Sequence, residues 1–144
     1  MRRTKLRESK QMILLDTSAV LGYLQSEPGW ELIAAEILTG QACISLVNQT
    51  EVLSKLCDWG MSWQEAQKAL GKLALLTEPF SPETAQEVAR IRPLTREHGL
   101  SLGDRACLAT ARLRQLPVLT GDRPWLNVAG ALELKISSFR PPAH

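Results

Sequence analysis

Residues 12–20 read Met-Ile-Leu-Leu-Asp-Thr-Ser-Ala-Val, a short apolar run stopped by one acid and two hydroxyls. A run of this length suits a strand buried on both faces, and Asp-Thr-Ser suits its junction with a following helix. Ala19, Val20, Tyr23 and Leu24 then recur at helical spacing. After Ser26-Glu27-Pro28-Gly29 a second helix is predicted from about Trp30 to Leu38, with Gly40 as its stop. A strand, two helices and a return to apolar sequence at Ala42 describe a crossover, so this stretch decides the fold class.

The alternation continues to the end of the chain. Ala42 to Val47 reads as a second strand, and Asn48 is placed to cap a helix bearing Val52, Leu53 and Leu56. Ser62-Trp63-Gln64-Glu65 is a capping box for a helix through Leu73, and Leu75-Leu76 with the residues around Phe80 gives a third strand or an extended segment. Ser81-Pro82-Glu83 supplies a cap, a first-turn proline and an acid for a helix running to about Glu97. Ser101 caps a helix carrying Ala106, Leu108, Ala109 and Leu113, while Pro117 to Leu119 and Leu134 to Ile136 are the fourth and fifth strands. The expected fold is α/β: a three-layer α/β/α sandwich with a mainly parallel sheet of about five strands.

This topology gathers four acids. Right-handed crossovers put every strand-to-helix junction on the carboxyl edge of the sheet. Asp16 and Asp122 follow strands directly, whereas Glu51 and Asp104 are expected in the first turns of helices. Ligands of open α/β sheets bind at that edge where strand order reverses, here expected between strands one and four. Carboxylates packed together out of water must protonate, pair with bases or bind a cation. A cluster without histidine or thiolate selects hard, oxygen-seeking ions such as Mg²⁺ or Mn²⁺. Each acid also has a structural reading. Asn48 to Glu51 and Ser101 to Asp104 have capping spacing, and Asp16 or Asp122 can begin a turn. Capping does not explain two acids standing directly after buried apolar strands.

At Leu14-Leu15-Asp16-Thr17-Ser18-Ala19, at Ile44 to Val52, at Leu100-Ser101-Leu102-Gly103-Asp104-Arg105-Ala106-Cys107-Leu108-Ala109 and at Leu119-Thr120-Gly121-Asp122 with Trp125, the chain resembles the PIN-domain ribonucleases. More narrowly it resembles the VapC-like toxins of type II toxin–antitoxin pairs, from Met12 to about Ser137. The resemblance implies a Mg²⁺- or Mn²⁺-dependent endoribonuclease with Asp16, Glu51, Asp104 and Asp122 as metal-binding and catalytic acids. It also implies an RNA substrate, a small VapB-like antitoxin that blocks the site, and a homodimer. Thr17, Ser18 and Thr120 are candidates to hold a carboxylate or bound water, with local capping an equal competitor. Arg105 and Arg123 flank site acids and are candidates for phosphate contact, against ordinary surface pairing. Lys55 is placed to pair with Glu51 one helical turn away. The four tryptophans read as core or interface residues before base-stacking platforms. Two rival readings are a catalytically silent RNA- or protein-binding module of the same fold, and a metal-dependent phosphatase of the haloacid dehalogenase class. Against the latter, its second aspartate would fall at Ser18.

Composition sets the outer bounds. The 144 residues fit one domain, and 44% hydrophobic with 22% charged residues is ordinary for a soluble globular protein. The net charge of +2 is uneven: residues 1–10 hold five basic residues and Glu8 as their one acid. We therefore divide the chain into a basic extension at 1–11, expected to be flexible, a PIN-like domain at 12–138, and a loose tail at 139–144. Three cysteines without CxxC spacing are expected as buried, reduced thiols, and the absence of a signal-peptide pattern leads to a cytoplasmic expectation. With His98 and His144 as the two histidines and no GxGxxG or P-loop string, triad, dinucleotide and P-loop chemistry are disfavoured.

Overall fold

The computed structural model describes residues 11–142; the basic run at residues 1–10 lies outside them. Five short strands, β1 (Ile13–Leu15), β2 (Ala42–Ser45), β3 (Leu76–Glu78), β4 (Val118–Thr120) and β5 (Ile136–Ser138), form one sheet in the order β3-β2-β1-β4-β5. Every neighbouring pair is parallel. The chain winds from β1 outward through β2 to β3, then returns to the other side of β1 for β4 and β5. Strand order therefore reverses between β1 and β4, as the alternation predicts.

Two helix layers follow from the two-residue period of the strands. Leu14, Cys43 and Val118 face one core with α5 (Pro82–Arg90) and α7 (Leu102–Arg114). Leu15, Ile44 and Leu119 face the other with α1 (Thr17–Leu24), α2 (Trp30–Leu38), α3 (Leu46–Asp58) and α4 (Trp63–Gly71). The architecture is the expected α/β/α sandwich. Among the described residues no helix is long and apolar enough to cross a membrane.

Local sequence places most boundaries. Asp16, Ser62, Ser81 and Ser101 each accept a hydrogen bond from the third residue of the helix they open. Four expectations are corrected. β2 stops at Ser45, which caps α3 in place of Asn48. The helix expected to reach Glu97 breaks at Ile91, followed by α6 (Arg92–Thr95) and a 3₁₀ turn, because Pro93 cannot donate to the carbonyl one turn back. β5 begins at Ile136, two residues later than the apolar run that starts at Leu134, whereas β3 falls within its expected stretch; both are short edge strands. Cys57 is exposed, unlike Cys43 and Cys107, and all three are free thiols. Of the tryptophans, Trp125 is fully buried while Trp59 and Trp63 remain about half exposed.

The expected loose tail also begins differently. Phe139 is 1% exposed and joins the core of α1 to α4. Its ring fills space left by two glycines: a Cβ on Gly22 would stand 2.5 Å from Phe139 Cζ, and one on Gly121 would stand 2.6 Å from Cε1. A fully buried phenylalanine truncated to alanine costs about 3–5 kcal/mol. Phe139→Ala is therefore expected to lower the urea unfolding free energy by that amount, and a loss below about 1 kcal/mol would return residue 139 to the tail.

Candidate active site

The four acids reach the carboxyl edge of the sheet from four different positions. Asp16 lies between β1 and α1, Asp122 just after β4, and Glu51 and Asp104 on α3 and α7. Together they line a cavity of about 450 Å³ that also includes Thr17, Ser18, Lys55 and Asp58. A cavity of about 470 Å³ at the opposite edge, around Arg112, Glu133 and Lys135, contains none of them.

Asp16 is 3% exposed and is held by neutral donors. Its Oδ1 accepts from the Ala19 N–H at 2.9 Å, its Oδ2 accepts from Thr120 Oγ1 at 2.7 Å, and Ser18 Oγ donates within 2.8–2.9 Å of both oxygens. Ser18 Oγ in turn accepts from the Gly121 N–H at 2.8 Å. These bonds tie the end of β1 to the end of β4, at the point where strand order reverses.

Glu51 is aimed by a second network that sequence spacing misassigned. The residue lies in the second turn of α3, because Ser45 is the cap, and its side chain caps nothing. Glu51 Oε1 accepts from Thr17 Oγ1 at 2.7 Å and from Asn48 Nδ2 at 2.9 Å. Asn48 is 1% exposed, and its Nδ2 also donates to Thr17 Oγ1 at 3.1 Å while Ser45 Oγ donates to its Oδ1 at 2.8 Å. It therefore serves as the hub that joins α1 to α3. The signal was an asparagine one turn before a glutamate on the same helix face. Gly103 completes the arrangement, since a Cβ there would overlap the Glu51 carboxylate.

Asp104 keeps both of its readings. It forms a capping box with Ser101, each side chain accepting from the other's backbone N–H at 3.0 Å. Asp104 Oδ1 accepts no hydrogen bond among the described residues, and the residue lines the cavity. Asp122 accepts no hydrogen bond on its carboxylate among the described residues, and its N–H donates to Thr120 Oγ1 at 3.0 Å. Of the supporting candidates, Thr17, Ser18 and Thr120 all bind site carboxylates. The two arginines do not. Arg105 donates to the Val88 carbonyl on α5, and Arg123 donates to the carbonyls of Arg140 and Pro141. Nor does Lys55 pair with Glu51 among the described residues, whose carboxylate is held by Thr17 and Asn48.

The buried acids elsewhere make a contrast. Glu78 is paired with Arg114, and Glu87 with Arg90 and Arg112. Among the described residues none of Asp16, Glu51, Asp104 and Asp122 is in an ion pair, in contrast to these.

A family model described as PIN domain matches residues 13–131. The chain belongs to the PIN-domain family. No curated protein matches the sequence significantly. Among solved structures, the chain is similar in fold to a DNA-bound VapBC from Salmonella typhimurium, with a TM-score of 0.72 and 17% identity over 90% of this chain and 99% of that one. It is likewise similar to a toxin–antitoxin complex from Klebsiella pneumoniae, with a TM-score of 0.67 and 23% identity over 90% and 99% of the two chains. A VapBC2 from Rickettsia felis bound to a promoter DNA fragment gives 0.70 and 15% over 89% and 98%.

The donor set of this PIN domain fits a hard divalent cation. Every candidate ligand atom is an oxygen, and among the described residues Glu51 Oε2, Asp104 Oδ1 and the Asp122 carboxylate accept no hydrogen bond. Among the described residues no three acids already stand close enough to share one ion directly. An ion held here would therefore keep several waters and take only one or two carboxylates directly, as Mg²⁺ does.

Electrostatics support the same reading. Burial pushes the Asp16 carboxyl from 3.8 up to about 6, against hydrogen bonds from Thr120, the Ala19 N–H and Ser18, with the Asp104 charge adding to the rise. Burial likewise raises Asp104, helped by the charges of Asp122 and Glu51. The folded state thus holds the Asp16 proton more tightly than the unfolded chain. Its contribution to stability is full below about pH 4 and is lost as pH rises through 6. A rise of about two pH units corresponds to an order of 3 kcal/mol. Without divalent ions, the urea midpoint is expected to be higher at pH 5 than at pH 8, and Asp16→Asn is expected to flatten the difference. A midpoint that instead rises with pH over this window would contradict the burial assigned to Asp16.

Proposed function

We propose that this PIN domain is a Mg²⁺- or Mn²⁺-dependent endoribonuclease and the toxin of a toxin–antitoxin pair. The observation that carries the reading is the contrast between acids. Structural carboxylates at Glu78 and Glu87 are matched by arginines, whereas Asp16, Glu51, Asp104 and Asp122 line one cavity, the first three held by neutral donors and Asp122 by none on its carboxylate among the described residues. Carboxylates left in this state await a cation.

Asp16, Glu51, Asp104 and Asp122 would hold the ion directly or through water. Bound there, the ion supplies a water activated for attack on a backbone phosphate and offsets the charge that develops on it. The residues of the chain do the aiming. Ser18 and Thr120 fix both oxygens of Asp16, Thr17 and Asn48 fix Oε1 of Glu51 and leave Oε2 open, and Ser101 fixes Oδ2 of Asp104. No covalent nucleophile is required, consistent with free thiols at Cys43 and Cys107 that lie buried. That the similar solved structures are toxin–antitoxin complexes, two of them on DNA, supports a small DNA-binding antitoxin as the partner. A homodimer is part of the same proposal.

Purified protein incubated with total cellular RNA and Mn²⁺ or Mg²⁺ is expected to give discrete cleavage products that a chelator abolishes. Asp16→Asn and Asp104→Asn should each reduce the rate by more than about 100-fold, since even outer partners of metal ligands cost 10- to 100-fold. Cleavage indifferent to chelator and to both substitutions would sink the metal-nuclease reading, and RNA binding without products would favour the silent module.

Asn48 gives a separate check. Asn48→Ala removes the amide that holds Glu51 without removing an acid, so about 10- to 100-fold weaker Mn²⁺ binding is expected by titration calorimetry. Unchanged Mn²⁺ affinity would remove Glu51 from the ion's surroundings.

A further inference from the structure

Asp16, Glu51 and Asp104 are aimed by donors to their carboxylates, but Asp122 is held only through its backbone among the described residues. Its N–H donates to Thr120 Oγ1 and its carbonyl accepts from the Trp125 N–H, both at 3.0 Å. The direction of its side chain therefore depends on the peptide planes around it.

The peptide joining Gly121 to Asp122 is gripped from the end of the chain. Arg140 Nε donates to the Gly121 carbonyl at 2.6 Å, and Nη1 of the same guanidinium reaches Glu27 Oε1 at 2.7 Å. The guanidinium carbon lies 4.8 Å from the centroid of the Phe139 ring, and Phe139 is fixed in the core with its N–H on the Thr120 carbonyl at 3.0 Å. Ser138 Oγ accepts from the Arg140 N–H at 3.1 Å. Arg123, on the far side of Asp122, donates to the carbonyls of Arg140 and Pro141. Both neighbours of Asp122 are thus tied to one short segment. Gly121 is part of the fit, because a Cβ there would stand 2.9 Å from Arg140 Nη2.

We propose that Arg140, seated on Phe139 and braced by Glu27, is a positioning residue for Asp122: it fixes the peptide that precedes the acid and so aims the carboxylate into the shared cavity. A planar guanidinium presents forked donors that meet a carbonyl and a carboxylate at once, which a lysine ammonium on a flexible stem does less well. The proposal rests on the metal-nuclease reading, in which Asp122 faces a divalent ion.

The test measures Mn²⁺ binding by titration calorimetry on the full chain, with RNA cleavage and melting temperature in parallel. Arg140→Ala is expected to weaken Mn²⁺ binding about 10-fold or more. Arg140→Lys should restore part of it, and Glu27→Gln should shift it less in the same direction. If Arg140 acts through Asp122, the double variant Asp122→Asn with Arg140→Ala binds Mn²⁺ no worse than Asp122→Asn alone. Losses that add in full, or an Arg140→Ala protein that binds as the wild type does, overturn the positioning role. Should Arg140→Ala fail to fold, Glu27→Gln with and without Asp122→Asn carries the same comparison. A wild-type protein that neither binds Mn²⁺ nor cleaves RNA overturns the nuclease reading and Arg140's role with it. One that does both while the Arg140 variants are indifferent overturns the role alone.

Discussion

Four carboxylates that share one cavity with no cationic partner among the described residues are the constraint to which the rest of the molecule answers. The fold brings Asp16, Glu51, Asp104 and Asp122 to one cavity, and burial has already driven Asp16 up to about 6. An arginine would balance these charges, as at Glu78 and Glu87, but it would also fill the cavity and neutralise it. Neutral donors orient a carboxylate without cancelling its charge. Thr17, Ser18, Asn48, Ser101 and Thr120 do this, and most of their bonds also join separate elements. Ser18 closes the gap between β1 and β4, while Asn48 and Thr17 hold α1 against α3. The groups that aim the acids are therefore the groups that lock the carboxyl edge, and the edge cannot be rebuilt without disturbing the site.

Close packing enforces the same arrangement from below. Gly103 lets the first turn of α7 approach Glu51 so nearly that any side chain would collide with its carboxylate. Gly121 lets the loop after β4 lie against Phe139 and Arg140. Neither glycine is required by a left-handed backbone, since neither has a positive φ. Their role is one of contact distance, which places the two acids beside them, Asp104 and Asp122, at the rim of the cavity.

Much of this was legible in sequence because it depends on local rules. The apolar run before Asp16, the caps at Ser62, Ser81 and Ser101, and the alternation of strands and helices give the layered sheet and the point where its order reverses. Ambiguity arose where two local rules overlap. Ala42 to Val47 is apolar enough to continue as strand through residue 47, so nothing nearby reveals that Ser45 ends it and caps the helix; Asn48 and Glu51 then read as a cap and its partner. At Ser101 and Asp104 capping and a place on the cavity wall coexist, because a carboxylate has two oxygens and the cap uses one. The packing of Phe139 was illegible for a different reason. Its partners Gly22 and Gly121 are distant in sequence, and no short-range pattern records that a ring will lie against them.

The raised Asp16 carboxyl links the site to the stability of the whole domain. At neutral pH the ion-free fold holds Asp16 as an unfavourable buried charge, and either a proton or a cation removes that cost. A divalent ion bound at the folded site, and not by the unfolded chain, would stabilise the domain by mass action. Protons compete for the same oxygens, so the ion's hold should weaken as pH falls through 6 while the ion-free fold itself grows more stable. These opposite trends separate a metal site from a structural cap. A carboxylate that merely capped a helix would have its pKa lowered by the N–H groups it accepts from, and its stabilising effect would grow with rising pH. Asp16 does accept such a bond from the Ala19 N–H, yet burial outweighs it, so the pH trend expected of Asp16 runs opposite to that of a capping acid.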